Sequence, residues 1–232
     1  MAQRLKARQA RPPAARHRRI FIVDDHPITR HGLTQLINNE PDLMVCGEAE
    51  SSRQALALIK SREPDLLLAD ITMPGKSGLE LIKDVRALHP AISILVLSMH
   101  DETIYAERVI RAGARGYIMK SEGGAKMLDA IRTVLGGRVY VSEHLSDQLL
   151  DRFSGRRVPA PNSALGTLTD REFEVFQNLG QGLTSHEIGR ELHVSPKTVD
   201  THRLHIKQKL GLRTMPELIK YAVRWGATQE LI

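Results

Sequence analysis

Five short apolar runs alternate with longer amphipathic segments between residues 19 and 137. The runs are RIFIVDD, LMVCGEA at 43–49, DLLLAD, ISILVLS and GYIMK. Runs of this length read as buried strands, and the segments between them carry apolar residues at helical spacing. Turn signals at Glu40-Pro41, Glu63-Pro64 and His89-Pro90 punctuate the alternation, and Gly136-Gly137 closes it. The pattern predicts helices near 27–39, 52–62, 78–89, 102–113 and 123–136. The order is β-α throughout, which argues for a parallel sheet with helices on both faces.

Beyond residue 137 the pattern changes. Leu145, Leu149 and Leu150 suggest a short helix, and SGRRVPAPNSALG after it has a linker's composition, so residues 138–165 read as a connection. Residues 166–232 carry only helical signals. Thr169 with Glu172, and Thr184 with Glu187, have capping-box spacing. Phe173, Phe176 and Leu179 share one face of the first helix. Ser195-Pro196 opens a third, with proline at its preferred first position. Met215-Pro216 leads a fourth, with Leu218, Ile219, Ala222 and Val223 as its stripe and Trp225 as a packing residue. Two short helices joined by a tight turn, the second basic, form a helix-turn-helix signature.

Four of the strand runs end on chemistry. Asp24-Asp25, Asp70, Ser98 and Lys120 stand where the apolar residues stop. In open parallel sheets, ligands bind in the crevice outside the carboxyl ends of the strands, so these groups converge on one pocket. Three carboxylates crowd together only with raised pKa values or a bound cation. Oxygen ligands that must also meet a phosphate suit Mg2+. Asp70 is the natural nucleophile because its strand is central and a loop follows at once. Lys120 and Ser98 suit the oxygens of a transferred phosphoryl group.

Charge refines the picture. The 232-residue chain carries a net +6, but residues 1–19 hold seven Lys/Arg and no acid, whereas 20–150 hold 14 basic and 18 acidic groups. The high pI therefore reports mostly the leader, read as disordered over residues 1–18, either a bland tail or an arm touching DNA phosphates. Locally, 197–213 has five Lys/Arg against one Asp, so the third helix of the last segment is basic. Cys46, the only cysteine, excludes an internal disulfide and fits a reducing cytoplasm. No apolar stretch approaches the ~18 residues of a membrane span.

The segments VDDHPITRHGL, DITMPGKSGLEL, LVLSMHD and GYIMK resemble the receiver domain of bacterial response regulators, over roughly residues 19–137. LTDREFEV, GLTSHEIGREL, VSPKTVDTH and KLGL resemble the LuxR-type DNA-binding domain, over residues 166–232. Together they resemble the NarL/FixJ subfamily of two-component regulators. The resemblance implies a flavodoxin-like (βα)5 domain of strand order 2-1-3-4-5, followed by a small all-α helix-turn-helix domain. It implies Asp70 as phospho-acceptor, Asp25 as direct Mg2+ ligand, Asp24 acting partly through water, and a ligand from the Thr72 carbonyl. Ser98 and Lys120 match the switch hydroxyl and the phosphate-binding lysine, and Tyr117 the switch aromatic. Ser121 stands where many receivers have a cis proline, and Gly189 where alanine is usual, which loosens that helix by up to ~1 kcal/mol. Thr72 and His100, two residues after Asp70 and Ser98, are candidates for setting how long the phosphate survives.

The expected function is DNA-binding transcription regulation in the cytoplasm, not catalysis. The resemblance implies a sensor histidine kinase that would donate the phosphoryl group. Ser98 and Tyr117 then move inward, the recognition helix is freed from the receiver, and a homodimer binds double-stranded DNA. On the recognition helix, Lys197, Asp200, Thr201 and Leu204 are placed toward base edges, and Thr198, Arg203, His205, Lys207 and Lys209 toward phosphates. Asp200 has two readings: accepting from cytosine N4, or stabilising the first helical turn. Two further functions stay open: a Mg2+-dependent phosphatase, which would need a cap that no insertion is long enough to form, and a phosphorylation-independent DNA-binding protein.

Overall fold

The computed structural model of the protein describes residues 17–73, 78–99, 102–142, 146 and 164–230. Its first part alternates β1 (Arg18–Val23), α1 (Pro27–Asn38), β2 (Leu43–Ala49), α2 (Ser52–Arg62), β3 (Leu66–Asp70), α3 (Gly78–Leu88), β4 (Ser93–Ser98), α4 (Glu102–Ala112), β5 (Gly116–Met119) and α5 (Gly124–Leu135). The sheet is parallel in the order β2-β1-β3-β4-β5, as the resemblance implied. Alternate strand residues serve opposite faces, as the two-residue period requires. Ile20, Ile22, Leu66 and Leu68 pack with Leu33 and Ile37 of α1 and Ile131 and Val134 of α5. Phe21, Val23, Leu67 and Ala69 pack with Ile59 of α2, Val85 of α3 and Val109 of α4. The chain reverses its strand order between β1 and β3, and that switch point opens the crevice a ligand can use.

The start of the expected linker is part of this domain. Tyr117 donates its backbone N–H to Tyr140 at 2.9 Å, and Tyr140 donates to Arg115 at 3.0 Å. An edge strand offers unpaired N–H and C=O groups, and this stretch satisfies some of those on β5. All but Ser146 of the helix expected around Leu145–Leu150, the linker over 151–163 and the leader over 1–16 lie outside the described residues, as does His100.

The second part is helical: a 3-10 turn at Leu165–Thr167, then α6 (Asp170–Gly180), α7 (Ser185–Glu191), α8 (Pro196–Lys209) and α9 (Met215–Glu230). Both capping boxes form, at Thr169/Glu172 and Thr184/Glu187, and Ser195 accepts from the N–H of Thr198 ahead of Pro196. Gly182 follows α6 with φ +82°, a left-handed conformation that ends a helix without the Cβ penalty. Phe173, Phe176, Leu179, Ile188, Val199, Ile206, Leu218 and Ala222 form the core. Trp225 packs on Phe173 and Phe176, with ring centroids 5.6 and 5.5 Å apart.

Gly189 plays a different part from the one its helix propensity suggests. A Cβ there would stand 2.8 Å from the carbonyl oxygen of Val194 and 3.4 Å from Pro196 N. The glycine lets α7 close against the turn that launches α8. Gly189→Ala gains up to ~1 kcal/mol of helix propensity but forces that turn apart, and overpacking costs about 1–3 kcal/mol. The expected result is a lower melting temperature for this domain, measured by calorimetry. A rise would mean the turn yields freely.

Candidate functional site

At the carboxyl ends of β1, β3, β4 and β5 the structure brings together the groups that the sequence singled out. Asp24, Asp70 and Ser98 are 1%, 2% and 0% exposed, while Asp25 and Lys120 are half-buried. The Lys120 ammonium lies 2.6 Å from Asp70 Oδ2 and 2.7 Å from Asp24 Oδ2. The N–H of Thr72 donates to Asp70 Oδ1 at 2.9 Å, and the N–H of Lys120 to the carbonyl of Ser98 at 2.7 Å. His26, which sequence reasoning passed over, sits at the rim with Nδ1 2.9 Å from Asp25 Oδ1. Its signal was available: it directly follows the aspartate pair.

The electrostatics are those of a site short of positive charge. Burial pushes the Asp70 carboxyl above its ordinary range, against the pull of Lys120. Burial works to lower Lys120, but the carboxylates of Asp70 and Asp24 hold its ammonium above the usual value. One ammonium faces three carboxylates. Asp24 Oδ2 has the shared Lys120 ammonium at 2.7 Å and Asp25 Oδ1 has His26 Nδ1 at 2.9 Å, neither in full hydrogen-bond geometry, and ligand atoms of Asp24, Asp25, His26 and Asp70 all lie within 4.8 Å of one another. Buried, under-compensated carboxylate oxygens are what a hard divalent cation satisfies, so these residues fit Mg2+.

Tyr117 is buried, at 1% exposure, so the aromatic already stands inward. Beside it lies a residue the sequence gave no reason to choose. Tyr105 on α4 is 2% exposed, and burial, reinforced by Tyr117, holds its phenol well above the ordinary value. Its ring meets Phe173 of α6 edge-on at 5.3 Å, and its hydroxyl accepts from Gln177. Asp170, at the start of α6, lies 2.6 Å from Lys83 and 3.1 Å from Arg108. Arg108 also donates to the Leu165 carbonyl at 2.7 Å and covers the Phe173 ring at 4.5 Å. The helical domain is thus docked on α3 and α4 through α6.

The helix-turn-helix is α7 and α8. Lys197, Thr198, Asp200, Thr201, Leu204, His205 and Lys209 are exposed, and Arg203 and Lys207 half-buried. The docked arrangement therefore leaves the recognition helix facing outward, a point the sequence left open. Several of these groups have partners inside the domain. Asp200 accepts from Ser185 Oγ at 2.7 Å with Arg203 at 3.3 Å, which ties the two helices at their corner. Lys209 reaches Glu172 at 2.6 Å, and Thr201 donates to the Lys197 carbonyl at 3.0 Å.

The two halves match two family models: the response regulator receiver domain over residues 20–132, and the bacterial regulatory proteins of the luxR family over residues 166–222. The chain is 34% identical to the oxygen regulatory protein NreC of Staphylococcus carnosus (strain TM300), covering 89% of this chain and 97% of that one. NreC of Staphylococcus aureus (strain bovine RF122 / ET3-1) is 36% identical over the same shares. Among solved structures, RcsB of Salmonella typhimurium superposes with a TM-score of 0.71 at 24% identity, covering 90% of this chain and 98% of that one, a likeness of fold. A LuxR-family response regulator from Aurantimonas sp. SI85-9A1 is 34% identical with a TM-score of 0.55, covering 60% and 99%. The chain belongs to the response regulators of NarL/FixJ type, with a receiver domain and a LuxR-type DNA-binding domain.

Proposed function

We propose that the chain is a transcription regulator switched by phosphorylation of Asp70, acting in the cytoplasm where a sensor histidine kinase and promoter DNA are both within reach. One observation carries the reading: the Lys120 ammonium bridges Asp70 and Asp24 at 2.6 and 2.7 Å in a cluster where Asp25 adds a third carboxylate within 4.8 Å. Asp70 supplies the attacking oxygen and Thr72 N–H orients its carboxylate. Lys120 and the Ser98 hydroxyl then meet the phosphoryl oxygens. Asp24, Asp25, Asp70 and the Thr72 carbonyl would hold Mg2+, which would supply neutralisation of the charge on the transferring phosphoryl group.

Output is major-groove reading by α8 in a homodimer, with half-sites about one DNA turn apart. Lys197, Thr201 and Leu204 are assigned to base edges. Lys207 and Arg203 anchor phosphates with Thr198, His205 and Lys209, and Asp200 holds the corner between the helices or reads a cytosine. Lys207→Ala is expected to weaken binding equally to a target and to a scrambled site, because phosphate contacts carry no sequence information. Thr201→Ala is expected to shift preference by about 1–3 kcal/mol between bases at one position. Gel shifts on both sites separate these outcomes, and equal losses for both variants would contradict the assignment. The whole reading is tested by phosphorylation with acetyl phosphate and Mg2+, followed by localisation of the acid-labile label. A label on any residue but Asp70 would refute it.

A further inference from the structure

The mouth of the phosphorylation pocket is shared by two domains. Asp25, His26 and Thr72 line one wall of a cavity of about 270 Å3, and Glu174, Gln177 and Asn178 of α6 line the other. Asp70 is 2% exposed, and the carboxyl-end crevice is the side from which a reactant meets its oxygens. Liquid water occupies ~30 Å3 per molecule, so the space holds a handful of waters or one small phosphoryl compound. It does not hold a histidine carried on a folded protein. That donor must bring phosphorus to within ~3–3.5 Å of the attacking oxygen, together with a body at least ~10 Å across.

We propose that the docked DNA-binding domain is a size gate on the phosphoryl donor: small donors reach Asp70 past α6, whereas a protein-borne phosphohistidine reaches it only after the dock opens. The inference rests on Asp70 being the acceptor. In the gated step, the P–N bond of the donor breaks as a P–O bond to an Asp70 carboxylate oxygen forms. The imidazole nitrogen leaves with the electron pair and takes a proton from solvent. The gate is held by Asp170 between Lys83 and Arg108, by Arg108 over Phe173, and by Tyr105 between Phe173 and Gln177. Lys83 is half-exposed and Asp170 about a third exposed, so the ion pair between them is weak and the latch can open. A donor that needs the open form reacts at a rate scaled by the open fraction, whereas one that fits the closed form does not.

The test uses the full-length chain with Mg2+ and two donors of one leaving group: phosphoimidazole, and a helical peptide of about 15 residues bearing one phosphohistidine, long enough to carry two or more turns past the cavity. Lys83→Glu and, separately, Asp170→Lys repel the latch from opposite domains, and circular dichroism confirms that each is folded. The peptide-to-imidazole rate ratio is expected to rise about tenfold in both variants, with the phosphoimidazole rate unchanged within about twofold. A ratio equal to wild type in both variants overturns the gate. Phosphoimidazole labelling that is absent from wild type, or equal in Asp70→Asn, refutes Asp70 as acceptor instead and is read independently of the ratio.

Discussion

Asp70→Asn is expected to reduce phosphoryl uptake from small donors by roughly three orders of magnitude or more, because it removes the nucleophile and leaves the pocket otherwise intact. DNA affinity should then become indifferent to donor and Mg2+. The same variant has an opposite effect on metal-free stability. Burial raises the folded-state pKa of Asp70, so its favourable contribution is complete below the unfolded value and lost as pH rises through the folded one. Asparagine escapes that penalty. At neutral pH without metal, Asp70→Asn should melt no lower than wild type, and Mg2+ should raise the wild-type melting temperature by more than it raises the variant's. A variant that melts far below wild type without metal would mean that Lys120 needs Asp70 for the fold.

The largest stability effect is expected at Phe173. Its side chain is fully buried between Tyr105, Phe176 and Trp225, beneath Arg108. Truncating a buried phenylalanine costs about 3–5 kcal/mol. For a domain this small that lowers the melting temperature by at least ~12 °C. Phe176→Ala serves as comparison, because Phe176 packs at a tilt against Tyr221 and Trp225 within the same domain. Both variants should destabilise the helical domain, but Phe173→Ala also removes the aromatic surface that Tyr105 and Arg108 hold. Scanning calorimetry should therefore show the receiver and helical transitions separating for Phe173→Ala and staying coupled for Phe176→Ala at matched stability. Identical behaviour would mean that the dock does not depend on Phe173.

What could be read from the sequence was what local physics determines. Short apolar runs ending on Asp70, Ser98 and Lys120 placed those groups at one sheet edge, because alternation with helices dictates parallel strands. The Thr169 and Thr184 caps were legible because a capping box is complete within four residues. Illegible features depend on contacts between distant residues. Lys83 meets Asp170 across 87 positions and Arg108 meets it across 62, and no periodicity announces either pair. Tyr105 carried no signal of its own, because Phe173 and Gln177, which face it, lie in the other domain. Gly189 misled because propensity describes a helix in isolation, whereas here the carbonyl of Val194 decides. The outward-facing recognition helix was hidden for the same reason, since the surface by which one domain docks on another has no signature in either.

We propose that phosphorylation of Asp70 controls DNA binding. The most direct test of this is capture of genomic DNA fragments by the purified full-length protein, with and without acetyl phosphate and Mg2+, with Asp70→Asn alongside. Enrichment of a distinct set of fragments only with donor, and only by wild type, is the predicted result. Equal enrichment in all three samples would contradict the account and place the switch elsewhere than the receiver pocket.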